Sequence, residues 1–379
     1  MHFVDAKGIL TGSGGFTGMN IYRGCTHGCI YCDSRSRCYG FTHPFEDIEV
    51  KQNAPELLRQ ALRSKRKKGM IGTGSMSDPY MHCEETLGLT RRCLEIIRDQ
   101  GFGAAIQTKS DRILRDIDLL DEINRAAKCV VQITLTTYDE ELCRILEPHV
   151  CTTRRRIEVL EELRERGIPT IVWMTPILPF LNDTEENATA ILNACARAGV
   201  KGVLSFGMGL TLREGDREYY YAALDRHFPG LKERYIRRYG SAYELPSPRA
   251  KELQAVFQTI CEEKGMLSTP EACFAYLREL PEKYPQMSLF GCETNELQKN
   301  AGEWGHDDDH QTAGATVHPG EAGPARGVSL RGKRGRLRLR PAGGLHPVRS
   351  RGRVRKERGA DPAVPGQGLS KKHAAGAPV

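Results

Sequence analysis

From about Met19 to Gly215, short apolar runs alternate with segments whose apolar residues recur at helical spacing. The runs Met19–Arg23, Met70–Gly74, Ala104–Thr108, Val130–Thr136, Thr170–Thr175 and Val203–Phe206 predict strands. Between them, Ala188, Ile191, Leu192 and Cys195 form one helical stripe behind Asp183 or Thr184 as N-cap. Asn53 and Pro55 open another helix, from Ala54 to about Lys65. Val130-Val131 and Val203-Leu204 break the apolar–polar alternation, as strands covered on both faces do. At about 33 residues per unit, the spacing is that of a βαβ repeat. The pattern predicts an α/β fold, a partial (β/α)6 TIM-like barrel. A doubly wound open sheet would alternate in the same way, so the pattern alone does not separate the two.

Beyond Gly215 the periodicity is helical, over Asp216–Phe228, Leu231–Arg238, Pro248–Glu263 and Pro270–Leu280. Tyr219, Tyr220, Tyr221 and Phe228 read as the apolar face that packs this helical extension onto the barrel. The tail loses all periodicity. Residues 301–379 contain 15 Gly and 7 Pro, no cysteine and a single aromatic residue, Trp304. Such a composition cannot bury enough surface to offset the entropy of ordering, so disorder is expected. The chain therefore divides into a barrel core at 1–215, a helical extension at 216–292 and a basic tail at 293–379.

Charge follows the same division. The formal net charge is +7, but residues 301–379 alone hold 15 Lys+Arg against 7 Asp+Glu, so the rest is close to neutral. The basic balance is thus no sign that the core binds polyanions. The tail reads either as a disordered nucleic-acid arm or as an out-of-frame translation of G+C-rich DNA. Its lack of aromatic interleaving favours the second. No apolar run is long enough to span a membrane, and Met1–Leu10 lacks the apolar stretch of a signal peptide. Thirteen cysteines without a secretion signal point to reduced thiols and a cytoplasmic location.

Three of those thiols carry the chemistry. In Cys25-Thr26-His27-Gly28-Cys29-Ile30-Tyr31-Cys32 the spacing is C-x3-C-x2-C, which chance would produce in roughly 0.015 of chains of this cysteine content. Three thiolates on one short loop can hold three corners of an iron–sulfur cubane and leave the fourth iron open. Structural zinc instead favours C-x2-C pairs and four protein ligands, and would need Cys38 or His27 as the fourth.

This loop resembles the cluster motif of the radical S-adenosylmethionine (SAM) superfamily. The resemblance implies a barrel fold and a [4Fe–4S] cluster on Cys25, Cys29 and Cys32. Its open iron would chelate the methionyl group of SAM. It further implies reductive cleavage of SAM to a 5′-deoxyadenosyl radical that abstracts a substrate hydrogen, with a flavodoxin- or ferredoxin-type protein as electron donor. Tyr31 falls where the family sets an aromatic residue against the adenine. Gly72-Thr73-Gly74-Ser75-Met76-Ser77-Asp78 is similar to the segment that holds the methionyl amine.

Within the superfamily the chain resembles the spore photoproduct lyase branch. Ser77 and Asp78 match a Ser-Asp after the second strand, and Lys109 matches a lysine that reaches the SAM carboxylate. Thr134 and Thr136 match a polar pair near the ribose, and Glu147-Pro148 is a mark of the branch without an assigned role. One difference bears on the substrate. The lyase has a cysteine as hydrogen donor where this chain has Ser75, whose O–H bond is too strong for the task. Cys83 is the nearest alternative thiol in sequence. The substrate remains open: a DNA lesion, as in the lyase branch, or else a peptide, an RNA or a small molecule. A reading of a different class is a non-catalytic iron–sulfur or zinc module that binds nucleic acid through its tail.

Overall fold

The computed structural model describes residues 1–12 and 15–281, so the tail expected from 293 onward lies outside the described residues. Six parallel strands form the centre: β1 (Phe16–Met19), β2 (Met70–Thr73), β3 (Gly103–Thr108), β4 (Cys129–Thr134), β5 (Thr170–Trp173) and β6 (Gly202–Leu204). Each pairs in parallel with its predecessor in the chain. A doubly wound sheet must reverse this order at a switch point. The unbroken order is that of a (β/α) barrel. The ladder ends at β6 on one side, and on the other at Leu10–Thr11, antiparallel to β1, so the barrel is partial.

Side-chain parity separates the faces. Met70, Ala105, Val130, Ile171 and Leu204 face one way, and Ile71, Ala104, Ile106, Val131, Val172 and Val203 the other. The second set packs on Leu58, Leu94, Leu120, Leu160 and Ile191, from the helices Ala54–Arg63, Leu89–Asp99, Ile117–Ala126, Thr153–Glu165 and Glu185–Arg197. The first set is closed by Cys273 and Leu277 of the helix Pro270–Arg278. Lys128 Nζ donates to the Tyr276 and Glu279 carbonyls, at 2.6 and 2.9 Å, and holds that helix in place. Both faces are therefore apolar, which is why these strands do not alternate in sequence.

Two sequence expectations differ in detail. The run Met19–Arg23 is not one strand. Tyr22–Arg23 leaves the barrel to pair with Glu49–Lys51, which pairs in turn with His2–Val4, forming a separate three-stranded sheet. The helix Ala250–Glu263 packs on Glu185–Arg197 and contributes Leu253, Phe257 and Cys261 to the same core as the barrel helices. Between β6 and this helix, a β-ribbon (Gly209–Thr211 with Glu244–Pro246) carries the helices Asp216–His227 and Leu231–Tyr239. Tyr220, Leu224 and Tyr235 of this insertion cluster with Cys29, Ile30 and Tyr31. The aromatic residues thus cover the cysteine loop. Among the described residues, no helix is long and apolar enough to cross a membrane.

Candidate active site

The loop after β1 is fixed from several sides. The Cys25 N–H donates to the Phe45 carbonyl at 3.1 Å, the Ile30 N–H to the Leu146 carbonyl at 3.0 Å, and the His149 N–H to the His27 carbonyl at 3.2 Å. Gly28 has φ +70°, and a Cβ there would meet His149 Cδ2 at 2.9 Å, so the turn between the first two cysteines favours glycine.

Cys25, Cys29 and Cys32 line a cavity of about 280 Å³ at the C-terminal ends of the strands, where a barrel carries its chemistry. Gly74, Lys109, Thr134 and Trp173 line it too, each at or just past a strand end. Gly74 has φ +99°, and a Cβ would lie 1.9 Å from the Gln107 carbonyl oxygen, so only glycine lets the two strand ends approach.

All three cysteines are free thiols. Among the described residues, no group containing a cysteine brings three ligand atoms within 4.8 Å of one another. Sulfurs sharing one zinc ion at Zn–S ≈ 2.3 Å would stand only about 3.8 Å apart. Three soft donors on one short loop lining one cavity suit an iron–sulfur cubane. Of the two fourth ligands a zinc site could use, Cys38 is exposed, does not line the cavity and has its Sγ 3.2 Å from Arg213, while His27 lines the cavity with its Nδ1 3.4 Å from Asp78.

Asp78 locks the loop to the barrel. Its carboxylate accepts from Thr108 Oγ1 at 2.7 Å, the Lys109 N–H at 2.8 Å and the Tyr80 N–H at 2.9 Å, and lies 3.4 Å from His27 Nδ1. Burial would raise its pKa, but His27 and these donors pull it down to about 2. The same pairing outweighs the desolvation of His27 and lifts that ring to about 10. With its lone pairs so committed, Asp78 positions β2, β3 and the loop from the cavity wall.

A second buried cluster lies behind Tyr31. Its hydroxyl donates to Glu147, which pairs with Arg156 at 2.5 Å. Arg156 also donates to the Thr134 and Cys151 carbonyls, at 3.0 and 2.7 Å. Glu147 and Arg156 are each 1% exposed. Burial opposes charge on Glu147, but Arg156, then Lys109, hold its carboxyl below the usual range. Lys109 Nζ sits 5.9 Å from the Tyr31 ring centroid. Burial opposes its charge too, yet Cys29 and Glu147 raise its pKa.

Of the site residues expected from sequence, Cys25, Cys29, Cys32, Tyr31, Asp78, Lys109 and Thr134 line this one cavity, and Ser77, Thr136 and Cys83 do not. Thr136 lies past the end of β4, where its carbonyl accepts from Asn182 and Asn187. Cys83 caps the short helix Glu84–Leu87 and packs against the barrel core. Sequence reading missed Trp173, whose Nε1–H donates to Gln132 at 2.9 Å, and Arg156. Strand parity was the available signal for Trp173, which shares its face with Ile171 and Thr175.

The model of the radical SAM superfamily matches residues 19–192, which hold every residue of the cavity lining except Leu210 and Thr211. An uncharacterized protein of Mycobacterium tuberculosis is 30% identical over 239 residues, covering 60% of this chain and 68% of that protein. The chain belongs to the radical SAM superfamily. Its cofactors are accordingly a [4Fe–4S] cluster and SAM, and its chemistry requires an electron donor. An uncharacterized protein of Methanocaldococcus jannaschii is 34% identical over 169 residues, 44% of this chain and 62% of that one. Among solved structures, spore photoproduct lyase complexed with dinucleoside spore photoproduct superposes with a TM-score of 0.52 at 13% identity, over 67% of this chain and 75% of that chain. That likeness is one of fold.

Proposed function

We propose that Cys25, Cys29 and Cys32 hold the cluster, that SAM lies against Lys109, Tyr31 and Thr134, and that the enzyme abstracts a hydrogen from a substrate at the barrel mouth. The observation that carries this reading is the convergence of three free thiols, Lys109 and the Tyr31 ring on a single cavity. When bound, cluster and SAM supply a one-electron reductive cleavage. The chain's own residues bind and orient. The Lys109 ammonium pairs with the methionyl carboxylate, the Tyr31 ring packs against the adenine, and Thr134 faces the ribose. Asp78 and Glu147 hold the loop and strand ends that carry these groups. The electron donor is of flavodoxin or ferredoxin type.

Anaerobic reconstitution tests the reading. It should give ~4 Fe per chain and 5′-deoxyadenosine under dithionite. Iron without SAM cleavage would overturn it in favour of a non-catalytic module. Lys109→Ala removes a charge-assisted contact of about 1.5–3 kcal/mol. SAM affinity should therefore fall by one to two decades at about 1.4 kcal/mol per decade, with iron unchanged. An unaltered titration would remove Lys109 from the SAM site.

The substrate class we propose first is a nucleic-acid lesion, on the motif resemblance of Asp78, Lys109 and Glu147-Pro148 to the lyase branch. The chemistry differs from the lyase in its last step. Among the described residues, no thiol other than Cys25, Cys29 and Cys32 lines the cavity, and Ser75, which the resemblance sets at the donor's position, is on its wall. A thymine dimer of the spore-photoproduct type should be converted slowly or to misdirected products, and Ser75→Cys should raise clean turnover. Clean repair by the unaltered protein, abolished by Cys83→Ala, would show instead that Cys83 reaches the radical. Deuterium transfer into 5′-deoxyadenosine identifies the substrate in either case.

A further inference from the structure

A second donor set lies outside the barrel, on the three-stranded sheet. His2 stands opposite Glu49 in parallel register, and His43 comes from the loop that precedes the Glu49 strand. One ligand atom from each of His2, His43 and Glu49 falls within 4.8 Å of the other two, and the three side chains are all half-buried.

The hydrogen bonds around them fix which nitrogens are free. His2 Nδ1 lies 3.0 Å from an Asp47 carboxylate oxygen, and His43 Nδ1 lies 3.0 Å from the Pro44 carbonyl. Neither oxygen carries a proton, so each ring nitrogen must donate. The lone pair of each neutral imidazole is then on Nε2. A carboxylate on one imidazole and a backbone carbonyl on the other is the outer shell that metal-bound histidines carry. The second sign is an orphan. His43 Nε2 is fully buried, has no hydrogen-bond partner and faces Glu49 Oε2 at 3.9 Å. That separation is too long for a hydrogen bond. It is close to the ~3.4 Å between two ligands that share one ion at 2.0–2.2 Å.

We propose that His2, His43 and Glu49 form a zinc-type divalent metal site, distinct from the iron–sulfur cavity, with water completing the tetrahedron. Two imidazoles and one carboxylate are a donor set that zinc accepts. Its role is to brace. It ties the His2–Val4 strand and the Glu49–Lys51 strand to the 41–45 segment, whose Phe45 carbonyl accepts the Cys25 N–H. The site thus backs the loop that carries the first cluster cysteine.

The test uses the full chain with its iron loaded, so that Cys25, Cys29 and Cys32 do not compete for zinc. After dialysis against zinc and then a weak chelator, about one zinc should remain per chain, with an X-ray absorption edge of nitrogen and oxygen ligands only. His43→Ala and Glu49→Ala should lose that zinc and keep their iron. Asp47→Asn, which keeps all three ligands but loosens the outer shell and the Met1 ammonium 2.9 Å away, should weaken zinc about 10–100-fold in chelator competition. Sulfur in the zinc shell would place the ion on cysteines and overturn the assignment. So would absence of zinc from the unaltered chain, or equal zinc in the variants. The spectrum of the unaltered chain decides even where a variant fails to fold.

Discussion

Cys29→Ala should abolish both the iron colour and the formation of 5′-deoxyadenosine, while Cys38→Ala leaves both intact. On the proposed reading the three cavity thiols each supply one corner of the cubane, so loss of any one would leave an iron without its thiolate. Cys29 is the sharpest probe of the three, because it is 8% exposed and packs in the same apolar cluster as Tyr220 and Leu224, where water substitutes poorly for sulfur. Cys38 is exposed and turned toward Arg213. Cys93, Cys129 and Cys195 lie in the barrel core, so their alanine variants should lower thermal stability slightly and keep full iron. Iron per chain and the visible spectrum after anaerobic reconstitution check this directly. Equal loss in Cys38→Ala and Cys29→Ala would replace the three-cysteine reading with a four-ligand one.

The sequence carried the parts of this molecule that depend on local spacing. The loop Cys25–Cys32 is a run of eight residues, and its chemistry survives any detail of packing. Lys109 and Thr134 were named through the resemblance to the lyase branch, and both stand at strand ends and line the cavity. Parity failed one step further on. Thr136 has the parity of Thr134, but β4 ends at Thr134, and Asn182 and Asn187 draw the Thr136 carbonyl to themselves. Ser77 and Cys83 lie off the cavity for a related reason, since both stand between β2 and the helix Glu84–Leu87, where no period constrains direction. The barrel and the doubly wound sheet could not be told apart until the strand order was known. That order is a long-range property which periodicity does not encode.

Arg156 is the clearest case of a buried charge hidden in plain text. It is the last of three consecutive arginines, and its neighbours Arg154 and Arg155 form surface ion pairs with Glu158 and Glu162. Helical spacing puts Arg156 on the same stripe as Leu160 and Leu163, facing the core. Glu147 was visible only as half of a Glu-Pro pair without a role, and nothing local links the two.

Their pairing yields the second large effect. Arg156→Ala should destabilise the fold by about 3–5 kcal/mol, because it strands a buried carboxylate instead of merely deleting an attraction. At about 2–4 °C per kcal/mol, the melting temperature should fall by on the order of 10 °C. The pH dependence follows from the sign of the Glu147 shift. Its folded pKa is depressed, so its contribution is present at neutral pH and is lost as pH falls below the ordinary glutamate range toward the folded pKa. Arg156→Ala should therefore narrow the stability gap to the unaltered protein at acid pH, where Glu147 is protonated in both. Glu147→Leu with Arg156→Met removes both charges and should recover most of the melting temperature. That double variant still frees the Tyr31 hydroxyl and the Thr134 carbonyl, both of which belong to residues on the cavity wall. If these two groups are held in place for SAM, the recovered fold should cleave SAM more slowly at full iron. Full cleavage in the double variant would show that the pair serves the fold alone.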